Sequence, residues 1–271
     1  MHLHSQNDAP RCATPIGAVS DDGYYTPVAK PRPSPTLFYF PGLTSTPWHD
    51  TNNLKWVQRL EANRDVITNE FLTLQKKRHG LAKNSNDYKV YDKEHQLHQG
   101  HWDWLSYVTQ GRRQADFVLQ CPKTVEILES IPDFMAESPF AYSFFSILKP
   151  KVVLLSTYFD VNWETDHNFW GFLSSIKAHS APCNIRLRCH FPLIVPEGCG
   201  IRVGDETRHW EEGKAFVFDD SFDHEVWHDG KEGDRVLLLF DLWHPDLVLK
   251  ERNAVTEMFN DAKEKGWLKD Y

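Results

Sequence analysis

The stretch at residues 184–195, NIRLRCHFPLIV, decides how this chain is read. Successive side chains of a β-strand point to opposite faces, so Ile185, Leu187 and Cys189 share one side while Arg186, Arg188 and His190 share the other. The run continues into the apolar FPLIV, which has the composition of a core strand. The polar stripe then admits two readings of equal standing: the solvent face of an ordinary two-layer sheet, or the wall of a cavity in which cationic and near-cationic groups hold an anion.

Outward from this strand, short apolar runs alternate with Gly, Pro, Asp and Asn: FFSIL (144–148), VVLL (152–155), GIRV (200–203), KAFVF (214–218), HEVWH (224–228) and RVLLLFDLW (235–243). Runs of this length with turn signals between them predict a mainly β fold with flanking helices, an antiparallel barrel or double-sheet jelly roll rather than βαβ units. Before them, LFYFPGL (37–43) reads as a short strand, and Leu54, Val57, Leu60, Ile67, Phe71 and Leu74 recur at helical spacing as far as Gly80. A second short helix is predicted around residues 125–130, and the tail at 246–265 returns to helical spacing. Residues 1–35, with Pro10, Pro15, Pro27, Pro31, Pro33 and Pro35, predict an extended or disordered arm, leaving 36–271 as a single domain.

The whole-chain numbers exclude several classes. At 271 residues the chain is long enough to bury a substantial core. A net charge of −8 and a pI near 5.9 leave no electrostatic footprint for nucleic acid. No apolar run approaches the ~18 residues of a membrane span, and MHLHSQNDAPRC carries no secretory pattern, so a soluble, cytoplasmic chain is expected. The five cysteines form no C-x-x-C pair and read as reduced thiols, and nothing in the sequence fixes an oligomeric state.

Two groups in the strand-rich half stand out. His224-Glu225-Val226-Trp227-His228 matches the H-E-x-x-H pattern of zinc proteases, but strand-like runs flank it and Asp229-Gly230 follows at once, so the helix that motif requires is not expected. Arg235 opens a buried strand, and a guanidinium facing an interior calls for a carboxylate; a bound dicarboxylate, a neighbouring Asp234 or Asp241, or escape to solvent would each answer. Trp102, Trp104, Trp210 and Trp243 read as core or rim packing, and Asp219, Asp220 and Asp223 as shaping the turn before His224.

The linked stretches CPKT (121–124), FSILKP (145–150), HSAPCNIRLRCH (179–190) and FDDSFDHEVWH (218–228), followed by RVLLLFDLWHP (235–245), resemble the aspartyl/asparaginyl β-hydroxylase family of iron(II)- and 2-oxoglutarate-dependent dioxygenases. The resemblance covers roughly residues 35–250 and implies a double-stranded β-helix, a cupin-like jelly roll. It implies that His179 and His224 bind Fe(2+), with no carboxylate two residues after His179, since His179-Ser180-Ala181 stands where the family has a glycine. It further implies that Arg235, assisted by Ser146, holds the distal carboxylate of 2-oxoglutarate, that Arg188 and His190 lie by its metal-side carboxylate, and that Arg186 meets an acidic substrate. The reaction implied consumes O2 and 2-oxoglutarate and hydroxylates the β-carbon of an aspartyl or asparaginyl side chain in a peptide or protein, or a related acyl group. A catalytically inactive cupin-like binding protein is the alternative, and a zinc metalloprotease a more distant one.

One departure from the family pattern concerns residues 151–178, KVVLLSTYFDVNWETDHNFWGFLSSIKA, which separate FSILKP from His179 where the family has a short connector. They read as an insertion, either a lid with Trp163, Phe169, Trp170 and Phe172 on its apolar face or an in-frame stretch of untranslated origin, and they contain His167 as a rival ligand.

Overall fold

The computed structural model describes residues 18–19, 25–26, 31–80, 102–150 and 174–268. Two compact units divide the chain at Pro31. The first contains one antiparallel ladder, β1 (Ala18–Val19) against β2 (Tyr25–Thr26). The second carries everything else. Its elements in chain order are β3 (Trp48–His49), α1 (Lys55–Ala62), α2 (Arg64–Gly80), β4 (Trp102–Thr109), β5 (Arg112–Arg113), α3 (Ala115–Gln120), α4 (Pro122–Glu129), β6 (Tyr142–Leu148), β7 (Ser174–His179), β8 (Arg186–Ile194), β9 (Cys199–Val203), β10 (Glu206–Arg208), β11 (Phe216–Phe218), β12 (His224–His228), β13 (Arg235–Trp243) and α5 (Leu249–Glu264).

Seven strands form one sheet in the order β3-β11-β8-β13-β6-β4-β5, and four form a second in the order β10-β9-β12-β7, with every neighbouring pair antiparallel. This is the expected mainly β, jelly-roll-like architecture; of the two forms predicted, the two-sheet one is adopted and the barrel does not close. Among the described residues no helix is long and apolar enough to cross a membrane.

The period-two alternation of β8 and β13 organises both cores. Leu187, Cys189, Phe191 and Leu193 of β8 and Val236, Leu238, Phe240 and Leu242 of β13 join Leu60, Ile67, Phe71, Ile127 and Phe259 of the helices in one large apolar cluster on the outer face of the seven-stranded sheet. The intervening positions face the four-stranded sheet, where Leu148, Phe218 and Leu237 pack with Ile176, Ile201, Val203 and Val226. The solvent-face reading of Arg186, Arg188 and His190 therefore fails, since these residues are 0, 4 and 4% exposed. Pro192, inside β8, is accommodated at a register shift: Val236 opposes Ile194 while Leu237 opposes Pro192, so one extra residue bulges where proline supplies no ladder donor.

Local departures from the predicted elements have local causes. The long helix breaks at Asn63, which leaves helical geometry (φ −106°, ψ 15°) and turns its side-chain amide back onto the Arg59 carbonyl. The LFYFPGL segment forms no strand; Phe38 makes a single bridge to Cys183, and Asn184 imitates a strand partner by bonding both the N–H (2.7 Å) and the carbonyl (2.9 Å) of Phe40. The second short helix starts earlier than predicted, at Pro122, where proline suits the first turn, and α3 precedes it. Ser174–His179 belongs to β7, so the last residues assigned to the insertion are a strand of the small sheet; residues 151–173, His167 among them, lie outside the described residues, as does most of the 1–35 arm.

Two arginines inside the sheets require compensation, and Asp220, read as a turn-former, and Asp241, read as a candidate partner of Arg235, supply it. Arg186 donates to Asp220 through Nη2 at 2.8 Å, and Arg188 donates to Asp241 through Nε at 2.9 Å. Cross-contacts of 3.3 Å (Arg188–Asp220) and 3.6 Å (Arg186–Asp241) close a balanced set of two cations and two anions. Burial opposes ionisation of Asp220, but Arg186 and Arg188 outweigh it and hold its carboxyl below the ordinary range. Removing one partner of a buried pair strands the other, so Asp220→Asn is expected to lower the urea-unfolding free energy at pH 7 by about 3–5 kcal/mol. Because the folded carboxyl is the stronger acid, its contribution is complete above the unfolded carboxylate range and declines as pH falls. Urea unfolding from pH 7 to pH 3 should accordingly show a shallower loss of stability in Asp220→Asn than in the wild type.

Candidate active site

Between the two sheets lies a small, partly open cleft. Its walls are Trp102, Ser146, Arg188, His190, Phe218, Arg235 and Leu239 from the large sheet and Ile176, His179, His224 and Val226 from the small one. Six of the seven residues singled out from the sequence are thus on one cavity surface, although they come from five strands. Arg186 is the exception. It is fully buried, donates to Asp220 and to the Phe140 carbonyl, and is not among the residues lining this cleft.

The two histidines meet because β7 and β12 pair antiparallel with His179 directly opposite His224. Their ring centroids are 4.2 Å apart at an interplanar angle of 49°. Each ring bonds through Nδ1 to the carbonyl two residues earlier, His179 to Lys177 at 2.8 Å and His224 to Phe222 at 2.9 Å. A carbonyl only accepts, so Nδ1 carries a proton in both rings, and a neutral His224 keeps its lone pair on Nε2. Burial, reinforced by the neighbouring His179, pushes His224 down to about 3, which keeps it neutral at physiological pH. His228 and His244 are different: in each, Nε2 donates to a carbonyl (Gly233 and Thr44) and Nδ1 accepts a backbone N–H (Gly230 and Asp246), so both nitrogens are used as staples. Among the described residues there is no group of three or more His, Cys, Asp or Glu side chains arranged for a metal.

Across the cleft sits Arg235, 2% exposed, with no carboxylate in ion-pair contact among the described residues. Asp241, a candidate partner by sequence, is committed to Arg188. One guanidinium nitrogen, Nη2, donates to Ser146 Oγ at 3.0 Å, whereas Nε and Nη1 are buried without a hydrogen-bond partner. Burial lowers Arg235 to about 10, leaving it charged at neutral pH. With Arg186 and Arg188 neutralised by two aspartates, Arg235 gives the cavity a net positive charge.

Two tryptophans assigned to packing have a larger part. Trp102 donates its indole N–H to Ser146 Oγ at 2.8 Å. Since that oxygen also accepts from Arg235, the Ser146 hydroxyl proton remains to donate to something else. Trp210 lies 4.8 Å beneath the Arg235 guanidinium and donates its N–H to His190 Nδ1 at 3.3 Å, which puts the His190 proton on Nε2. Burial, then Arg235 and Arg188, depress His190 well below the ordinary histidine range, so it is a neutral donor. A clue to Trp210 in the sequence is its spacing, three residues before Gly213 in the turn that leads into β11; nothing local marks Trp102, whose partner lies 44 residues on.

HEVWH occupies β12 with a burial alternation that puts His224, Val226 and His228 inward and Glu225 outward, where it pairs with Arg202 at 2.7 Å. The geometry of a helical zinc protease is absent, and Glu225 does not face the cleft.

Comparison with known proteins bears on this site. The family described as Aspartyl/Asparaginyl beta-hydroxylase matches residues 61–160 and 172–245, spans that include every cleft residue named above and leave out part of the predicted insertion. "Aspartate beta-hydroxylase domain-containing protein 2" of Mus musculus is 31% identical over 244 residues, covering 89% of this chain and 63% of that protein. "Aspartyl/asparaginyl beta-hydroxylase" of Homo sapiens is 32% identical over 226 residues, covering 81% of this chain and 26% of the relative. "Aspartate beta-hydroxylase domain-containing protein 1" of Homo sapiens is 28% identical over 228 residues, covering 83% and 51%. The chain therefore spans less than two thirds of the length of these relatives. With a match over most of its length and its cleft inside the matched spans, the chain belongs to the aspartyl/asparaginyl beta-hydroxylase family.

Proposed function

We propose that this chain is an iron(II)- and 2-oxoglutarate-dependent dioxygenase that hydroxylates the β-carbon of an aspartyl or asparaginyl side chain in a peptide or protein, or of a related acyl group. The observation that carries the proposal is Arg235, a buried guanidinium with two unpartnered nitrogens, facing the paired imidazoles of His179 and His224 across one cleft. Leaving such a cation buried and unpaired is costly, and a carboxylate in the cleft removes the cost. The donor set fits the metal: imidazole nitrogen suits iron(II), and His179 and His224 would hold it through Nε2, with ligands other than protein carboxylates completing its shell. Iron(II) bound there, with O2 and 2-oxoglutarate, supplies the oxidising power for C–H hydroxylation as the cosubstrate is converted to succinate and CO2.

The chain's own share is binding, orientation and water exclusion. Arg235 would receive the distal carboxylate of the keto diacid through guanidinium N–H groups that have no partner in the protein, and the Ser146 hydroxyl, turned outward by its two donors, adds a further hydrogen bond to it. Nearer the imidazoles, His190 offers Nε2–H and Arg188 lies on the same wall, so the other carboxylate meets donors and a positive field. Ile176, Val226, Phe218 and Leu239 keep the intervening space apolar, which strengthens these interactions by excluding water. Holding His224 neutral favours metal over proton at Nε2.

Succinate formation by purified protein given iron(II) and 2-oxoglutarate is the direct test. The wild type is expected to turn over slowly without substrate, and His224→Ala to lose that activity; equal turnover by the two, or none by either, would leave the inactive binding protein as the better reading. Arg235→Met is expected to raise the half-saturating 2-oxoglutarate concentration by about 100-fold, equivalent to about 3 kcal/mol of charge-assisted bonding. The same variant removes an unpaired buried charge, so its Tm without ligand should equal or exceed that of the wild type; a lower Tm with unchanged 2-oxoglutarate dependence would contradict the assignment of Arg235.

A further inference from the structure

Residues 32–38 run across the outside of the two loops that carry the histidines. The Ser34 N–H donates to the Ser221 carbonyl at 2.8 Å, three residues before His224, and the Thr36 N–H donates to the Ala181 carbonyl at 3.0 Å, two residues after His179. Ser180 Oγ returns a bond to the Ser34 carbonyl at 2.7 Å. Leu37 and Phe38 then fasten to the Pro182 carbonyl at 3.0 and 2.8 Å, and the Phe38 ring anchors against Phe259 of α5 with centroids 5.3 Å apart. The loops are joined to each other by a single backbone bond among those described, Ala181 N–H to the Asp220 carbonyl at 2.8 Å.

The sequence of this segment, PSPT at 33–36, suits such a role. In an extended chain successive N–H groups point to opposite sides, so the donors of Ser34 and Thr36 face the loops while Pro33 and Pro35, which have no N–H, occupy the outward positions where none is needed. Proline also fixes φ and reduces the entropy lost when the segment is laid down. The Ser34 and Thr36 side chains are exposed, whereas Phe38 at the end of the segment packs against the core. What the segment does is tie Ser221 to Ala181 at the point where the β7–β12 ladder ends on the histidine pair and its register is already irregular, between His224 and Val226.

We infer that the 32–38 segment is a positioning strap that holds His179 and His224 at a fixed separation and thereby sets the affinity of the site for a divalent metal. The inference rests on the reading that these two histidines hold that metal. Positioning groups outside the ligand shell of protein metal sites typically change affinity by about 10–100-fold, and the strap acts in the same way through the backbone.

The test uses the full chain and Co(II) alone, followed by its visible absorption on titration. Ser34→Pro with Thr36→Pro deletes both donors to the histidine loops while keeping an extended backbone; Ser34→Ala with Thr36→Ala keeps both N–H groups. The proline pair is expected to bind Co(II) at least tenfold more weakly than wild type with an altered band shape, and the alanine pair to bind as the wild type does. Should the proline pair lose its native circular dichroism, the single variants Ser34→Pro and Thr36→Pro, each lacking one bond, are titrated in its place and are each expected to weaken binding. Wild-type affinity in the folded proline variants, or an equal loss in the alanine pair, overturns the strap. Failure of the wild type to bind Co(II), or undiminished binding by His224→Ala, overturns the two-histidine site and the strap with it, and is recognised by appearing without any change at residues 34 and 36.

Discussion

A charged stripe facing inward from a central strand constrains everything else in this molecule. Arg186, Arg188 and His190 lie on the side of β8 that looks toward the small sheet, and Arg235 opens the neighbouring strand. Charges there are sustainable only when matched, because the low-dielectric interior magnifies both attraction and the penalty of isolation. Asp220 and Asp241 match two of the guanidiniums and in doing so lock the loop before His224 to the centre of the large sheet. The third, Arg235, is left with Ser146 and the face of Trp210. Among the described residues the fold supplies carboxylates to two of three buried arginines and not to the last, the imbalance on which the proposed anion site rests.

Around that imbalance the polar groups are preorganised in a consistent sense. Backbone carbonyls at Lys177 and Phe222 set the tautomers of the two histidines, and tryptophan N–H groups orient Ser146 and His190. None of these arrangements needs a ligand to form, so little reorganisation accompanies binding. The histidine end and the arginine end of the cleft belong to different sheets. Relative placement of the sheets therefore governs the reach between them, and bonds that span both loops, such as those of the 32–38 segment, bear directly on it.

Much of this was legible in residue order. Alternation in NIRLRCH and RVLLLFDLW is a period-two signal strong enough to give strands, faces and the inward direction of the basic stripe once the outer face is recognised as core. The turn-bounded spacing of HEVWH removed it from helical chemistry, and β12 bears that out. Helix breaks were less legible: Asn63 interrupts an otherwise continuous apolar period because its side chain competes for a backbone carbonyl, an effect periodicity does not register. SSIKA, at the end of the predicted insertion, has little strand character of its own and becomes part of β7 by pairing with β12.

Sequence alone determined which residue types stand at which strand positions, and so the sheet faces, the strand-rich class and the family resemblance through its ordered motifs. Tertiary structure decided the pairings between distant residues: that Asp220 and Asp241 serve Arg186 and Arg188, that Arg186 belongs to the fold while Arg235 belongs to the cleft, and that Trp102 and Trp210 orient site groups. The physical reason is that strand alternation is a local property of the backbone, whereas whether a buried charge is matched depends on which side chain arrives within about 3 Å after the sheets have packed, a distance that separation along the chain does not encode.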